Sequence, residues 1–138
     1  MSTVLRYSDN YASYELSLEG QIICAVVAGA IGDSFSRRYN NDFRLLMDQL
    51  SPGAWGHFGD FRNCEALSKE AQQASKSLHE EAKNKGCIVS AFQMDSALLK
   101  SQVNSIRVDK ELPVLASQRF FATKSAALAF IEDFLSSA

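Results

Sequence analysis

The sequence predicts an α/β fold, a mixed sheet of about four or five strands that opens with an antiparallel hairpin and carries about four helices. Three observations lead there. The runs Ile22 to Ala28 and Cys87 to Phe92 hold almost no polar side chains, as expected of strands covered on both faces. Elsewhere apolar residues recur at intervals of three and four, as in Phe35, Tyr39, Phe43, Leu46 and Leu50, which is helical spacing. The two patterns alternate along the chain, so parallel crossovers should follow the hairpin.

The hairpin comes first. Tyr14 to Leu18 alternates with period two, Glu19-Gly20-Gln21 supplies a turn, and Ile22 to Ala28 returns as a central strand. Asp33 or Ser34 should then cap a helix of about four turns by accepting from one of its unpaired amides. Arg37, Arg38, Asn40, Asn41, Arg44 and Asp48 fall largely off its apolar stripe and read as a solvated face, and Ser51-Pro52-Gly53 ends it. Trp55 to Asp60 is the next strand; its Gly56 and Gly59 remove side chains from one face or permit a bulge, and would let another backbone or a ligand come close. Ser68 should cap a helix running to about Lys85, with Gly86 at its left-handed exit. The seam of that helix, Ala71, Ala74, Ser75, Leu78 and Ala82, is mostly small and suits close approach to the sheet, while His79 looks exposed.

After Cys87 to Phe92, Asp95 or Ser96 can begin a short helix using Leu98, Leu99 and Val103. Arg107 to Leu112 is polar, Pro113 interrupts, Val114 to Ala116 reads as either irregular chain or an edge strand, and Arg119-Phe120-Phe121 has the aromatic content of a short terminal strand. Thr123 caps a last helix, whose Leu128, Ile131 and Leu135 on one line and Phe130 and Phe134 on another make a wide docking stripe.

Size and charge narrow the function. The chain has 138 residues and a formal net charge of −2, which suits one domain over residues 1–138 with an irregular tail at 1–12. A chain this long buries roughly two thirds of its unfolded surface and needs neither metal nor disulfide to hold a core. The pI of about 5.6 shows no basic excess of the kind a nucleic-acid binder presents. No apolar run approaches a spanning helix, and Met1 to Asn10 is too polar for a secretory signal, so a cytoplasmic protein is expected. The three cysteines, Cys24, Cys64 and Cys87, include no C-x-x-C pair and no close histidine, so neither a metal site nor a disulfide framework is expected. Cys24 and Cys87 read as small apolar strand residues. Cys64 lies in the polar stretch Phe61-Arg62-Asn63-Cys64-Glu65, where the adjacent arginine would favour its thiolate.

The element order, the strand Trp55 to Asp60 followed by Phe61-Arg62-Asn63-Cys64, the small-residue helix after Ser68, and the closing Arg119-Phe120-Phe121-Ala122-Thr123 with its helix together resemble the STAS-like domains. These share the anti-sigma-factor-antagonist fold, and the likeness is to a bacterial branch of them. It covers about Tyr14 to Leu135 and implies a non-catalytic regulatory or protein-binding module that uses no cofactor. In regulatory members a serine at the start of the helix after the third strand is phosphorylated by a partner kinase, and the unmodified surface binds that partner. A helix N-terminus accommodates phosphate, and about two added negative charges there can abolish a protein contact. Here the stretch Asn63 to Ser68 lacks the Asp-Ser-x-Gly pattern, and Ser68, which capping alone would also explain, is the serine placed to inherit the role.

The expected contact surface therefore comprises Asp60, Arg62, Asn63, Cys64, Glu65 and Ser68. Two other readings compete with it. The resemblance extends to lipid-carrier folds, and Phe35, Phe43, Phe92, Phe120, Phe121 and Phe130 would suit a small apolar or lipid-like ligand as well as plain packing. An enzyme would draw on Cys64, His57, Asp60, Glu65 and Arg62 near one strand end, yet the strong local catalytic signatures are missing. Exposed edges of the first hairpin or the terminal strand would also permit a homodimer.

Overall fold

The computed structural model describes residues 3–106 and 120–137, so the expectations for Arg107 to Ala116 and for Arg119 lie outside the described residues. The order of elements is β1 (Val4–Ser8), β2 (Ala12–Glu19), β3 (Ile22–Ile31), α1 (Asp33–Leu50), β4 (Trp55–Asp60), β5 (Cys64–Leu67), α2 (Lys69–Asn84), β6 (Cys87–Gln93), α3 (Ala97–Ile106) and α4 (Lys124–Ser136). The strands form one mixed sheet in the order β1-β2-β3-β4-β6, with β5 on β3. β1–β2 and β2–β3 are antiparallel, and the later pairings are parallel, as the hairpin-then-crossover pattern requires.

Alternation on β3 divides the core in two. Ile23, Ala25 and Val27 face a large cluster with Phe35, Phe43, Leu46, Met47, Leu78, Leu99 and Val103, so α1, α2 and α3 cover that face. Ile22 and Cys24 face a smaller cluster with Phe58, Val89, Ala91, Ala127 and Ile131, covered by α4. This second cover is narrow. Val26, on the same face as Ile22 and Cys24, is 46% exposed, so β3 is not sealed on both sides along its whole length.

Several local expectations hold. Ser68 Oγ accepts from Ala71 N at 3.0 Å and Thr123 Oγ1 from Ala126 N at 3.1 Å, each satisfying an unpaired amide at a helix start. Ser96 Oγ does the same for Leu99 N at 3.1 Å. Gly86 has φ +106°, the left-handed exit foreseen for α2. At Gly56, where a backbone or a ligand was expected, it is a side chain of α4 that comes close, since a Cβ there would collide with Ile131 Cγ2.

Four expectations need correction. Residues 4–8 are a strand rather than part of an irregular tail, because pairing with β2 on one side suffices for an edge strand. The N-cap of α1 is Gly32, with no side-chain cap, and Asp33 is instead ion-paired with Arg37 one turn on at 2.6 Å. Asn40 is buried, its Nδ2 donating to Ala74 O of α2 at 3.1 Å, so it joins two helices instead of facing water. Cys64 to Leu67 is a strand, although Phe61 to Glu65 reads in the sequence only as a polar stretch.

Candidate functional site

β3 is long enough to carry two partners in succession. Its first half pairs with β4, Val26 lying opposite Asp60, and its second half pairs with β5, Gly29 opposite Cys64 and Ile31 opposite Leu67. β4 and β5 are thus one parallel line interrupted by the turn Phe61 to Asn63, which Cys64 N closes by donating to Phe61 O at 3.1 Å. Ser68 N then donates to Ile31 O at 3.0 Å, fixing the entrance to α2.

This topology splits the expected site residues into two groups. Asp60 lies beside Val26 and Ser68 beside Ile31, five strand positions apart, so they are separated by roughly 16 Å at about 3.3 Å per residue. At the near end Arg62 grips Asp60 with two bonds, Nε to Oδ1 at 3.0 Å and Nη2 to Oδ2 at 2.9 Å. The Arg62 side chain holds the Asp60 carboxyl below its ordinary range, and backbone donation from Arg62 N adds to this. Asn63 is exposed, and its carbonyl accepts from Gly29 N at 2.9 Å. At the far end are Glu65, exposed, and Ser68, half-buried at its cap.

Cys64 belongs to neither end. Its side chain turns into the large core cluster, and burial, with the Glu65 charge second, pushes the thiol up to about 11. The adjacent arginine, occupied by Asp60, does not activate it. His57 offers no base, because its Nε2 is buried with no hydrogen-bond partner among the described residues. The pieces of a Cys-His nucleophile are present without the geometry that would join them.

Two features of the site escaped the sequence reading. The first is Tyr11, in the turn between β1 and β2 and 79% exposed. A shallow groove runs from it past Gly32 and Ser34 to Ala66, Leu67 and Ser68. Nothing in its flanking sequence marked it, since its position depends on β1 being a strand.

The second is a partly open cavity of about 100 Å³ beneath the β4–β5 segment. Phe61, Cys64 and Leu67 line it from that segment, Phe43 from α1, Leu78 and His79 from α2, and His57 and Phe92 from the sheet. His79 is therefore not an outward residue; its ring centroid lies 6.3 Å from that of His57. Burial, with His79 second, pushes His57 down to about 3, so its imidazole is neutral at ordinary pH. Among the described residues no group of three or more His, Cys, Asp or Glu is placed to hold a metal ion. Nor, among them, is any helix long and apolar enough to cross a membrane.

No protein-family model and no curated protein sequence matches this chain. Solved structures do match. An anti-sigma factor antagonist from Mycobacterium paratuberculosis superposes with a TM-score of 0.59 at 14% identity, covering 96% of each chain. The murine anion transporter Solute Carrier 26 family member A9, in its inward-facing state, superposes with a TM-score of 0.62 at 9% identity. That match covers 96% of this chain but 22% of the transporter. The chain therefore has the STAS-like fold that the order of its elements suggested.

Proposed function

We propose that this chain is a non-catalytic regulatory module, bacterial and cytoplasmic, that binds a protein partner through the surface running from the Asp60–Arg62 turn along Glu65 to Ser68 and Tyr11. One observation carries the reading: an aromatic side chain, Tyr11, stands 79% exposed on the groove that leads to the Ser68 entrance of α2. An exposed aromatic beside polar and charged groups is the usual anchor of a protein interface, because it supplies large contact area at low entropic cost. The span of roughly 16 Å between the two ends of the surface matches a protein patch better than a small-molecule pocket. The fold supports the same reading, since a structural neighbour that covers 96% of this chain is named as an antagonist of an anti-sigma factor.

Ser68 is placed to regulate such a contact. A phosphate on Oγ would sit at the positive end of α2 and bring about two negative charges into the groove. The fold can accept the modification while the partner cannot, which is the asymmetry a switch needs.

Capture experiments with the full chain as bait test this. Wild type should retain a defined set of proteins that Tyr11→Glu, Arg62→Glu and Ser68→Asp each lose. Glu132→Lys, at an exposed position of α4, should retain the set. A set indifferent to all three changes would count against the surface.

A further inference from the structure

β1 leaves one edge of the sheet open. It ends the strand order, and among the described residues nothing pairs with its outer side, whereas Phe120 bridges Phe92 at the opposite edge. A free edge offers unpaired amides and carbonyls to another strand, and folded proteins usually blunt it with a proline, a bulge or a free charge. β1 has none of these. Val4–Ser8 contains no proline and pairs with β2 in unbroken register, and its one charged side chain, Arg6, is already ion-paired with Glu15 of β2 at 3.1 Å.

Apolar side chains flank the open edge on both faces. Leu5 and Tyr7 are half-buried against the large core cluster, and Val4 on the other face is exposed. α1 overhangs the edge, since Arg38 lies over the Tyr7 ring at 4.3 Å and Gln49 Oε1 accepts from Thr3 Oγ1 at 3.4 Å. By their spacing Arg38, Asp42, Leu45 and Gln49 share one helical stripe, so the exposed Leu45 belongs to the same flank.

We propose that β1 pairs antiparallel with β1 of a second copy of this chain about a two-fold axis at Leu5, joining the two sheets into one.

The residues of β1 select both the occupant and the register. A two-fold axis perpendicular to the sheet makes each face of one copy continuous with the same face of the other. An axis at Arg6 would set Arg6 directly against its symmetry mate, a like-charge pair that destabilises a sheet. An axis at Tyr7 would bring Leu5 against the carboxylate of Asp9 in the second copy. The axis at Leu5 avoids both. It sets Leu5 against Leu5 on the core side, and on the other face it lays the stem of Arg6 over the exposed Val4 of the second copy while Arg6 keeps Glu15. The edge thus supplies its own complement. Pairing over Thr3 to Tyr7 is smaller than the roughly 800 Å² per partner of a standard interface, so the dimer should be weak.

Tyr11 and Ser68 lie beyond the paired span, so this contact is separate from the proposed partner surface and does not depend on it. Sedimentation velocity of the full chain from about 10 µM to about 1 mM should show monomer giving way to dimer, the range expected of so small an interface. Val4→Glu, which faces Arg6 of the second copy twice per dimer, should tighten association roughly fivefold, and Val4→Lys should weaken it by at least as much. The net charge of −2 would by itself favour the reverse order, so the ranking reports the local pairing. Leu98→Glu, at an exposed position of α3, should leave association unchanged. A chain monomeric throughout, a dimer indifferent to the charge at position 4 or tightened by Val4→Lys, or one lost in Leu98→Glu would each overturn the proposal. Tightening by Val4→Glu is a gain, which a variant that fails to fold would not produce.

Discussion

Mild acid should weaken the fold through His57, and the size of the effect can be worked out. The unfolded histidine titrates near 6.5, whereas burial, with His79 second, lowers the folded value to about 3. Between those values the unfolded chain binds a proton that the folded chain refuses, so stability falls as pH falls. The contribution is full above about pH 6.5 and is lost progressively toward pH 3. Integrating from about pH 7.5 to about pH 5 gives a loss of about 2 kcal/mol, a large part of the stability of a chain this size. Asp9, Glu19 and Asp60 also have lowered values. For these carboxylates stability is present above their unfolded values, near 4, and lost below, so the window above pH 5 belongs to histidine. Urea unfolding followed by fluorescence of Trp55, the one tryptophan and fully buried, supplies the assay. Wild type should lose the stated amount across the window. His57→Leu should be flat apart from any contribution of His79, and close to wild type near pH 7.5, since it replaces an unbonded polar ring by an apolar side chain. A wild-type profile without slope, or a variant with the same slope, would refute the reasoning.

Three further outcomes are expected. Ser68→Ala should cost about 1 kcal/mol in urea unfolding, while Ser68→Asp, which keeps a capping oxygen, should stay within a few tenths. Gly56→Ala should lower stability by about 1–3 kcal/mol because its methyl meets Ile131 of α4, and Ile131→Ala in the same chain should recover part of that loss. In native buffer a thiol reagent should label the half-buried Cys87 first, and Cys24 and Cys64, pushed up to about 12 and about 11 chiefly by burial, should react only on unfolding. Mass mapping of labelled peptides reads this directly, and early labelling of Cys64 would reopen the case for a reactive thiol.

Long-period features were the legible ones. The seam of α2 could be read because Ala71, Leu78 and Ala82 obey helical spacing and Ser68 has a local capping function. Gly56 and Gly59 signalled the approach of a backbone or a ligand, but what comes close is side chains, Ile131 of α4 at Gly56 and the rings of Phe61 and Phe92 at Gly59. What stayed hidden depends on partners distant in sequence. β5 is four residues long with an exposed Glu65, too short to show a period, and it is a strand because the second half of β3 offers a free edge. Asn40 looks like a surface residue until Ala74 O arrives from the next helix. His57 and His79 are 22 positions apart, and only the docking of α2 on the sheet brings them to opposite sides of one chamber. The expected site residues were near one another along the chain, but β5 draws Asp60 and Ser68 apart, so they make the two ends of a surface and not a cluster.

Site-specific photo-crosslinking inside cells is the sharpest check on the proposed partner surface. A photoreactive phenylalanine placed at Tyr11 or Glu65, both exposed, should give the same adduct with a second protein, while one at Glu132 should give none. Adducts formed equally from Glu132, or none from either position on the groove, would contradict it.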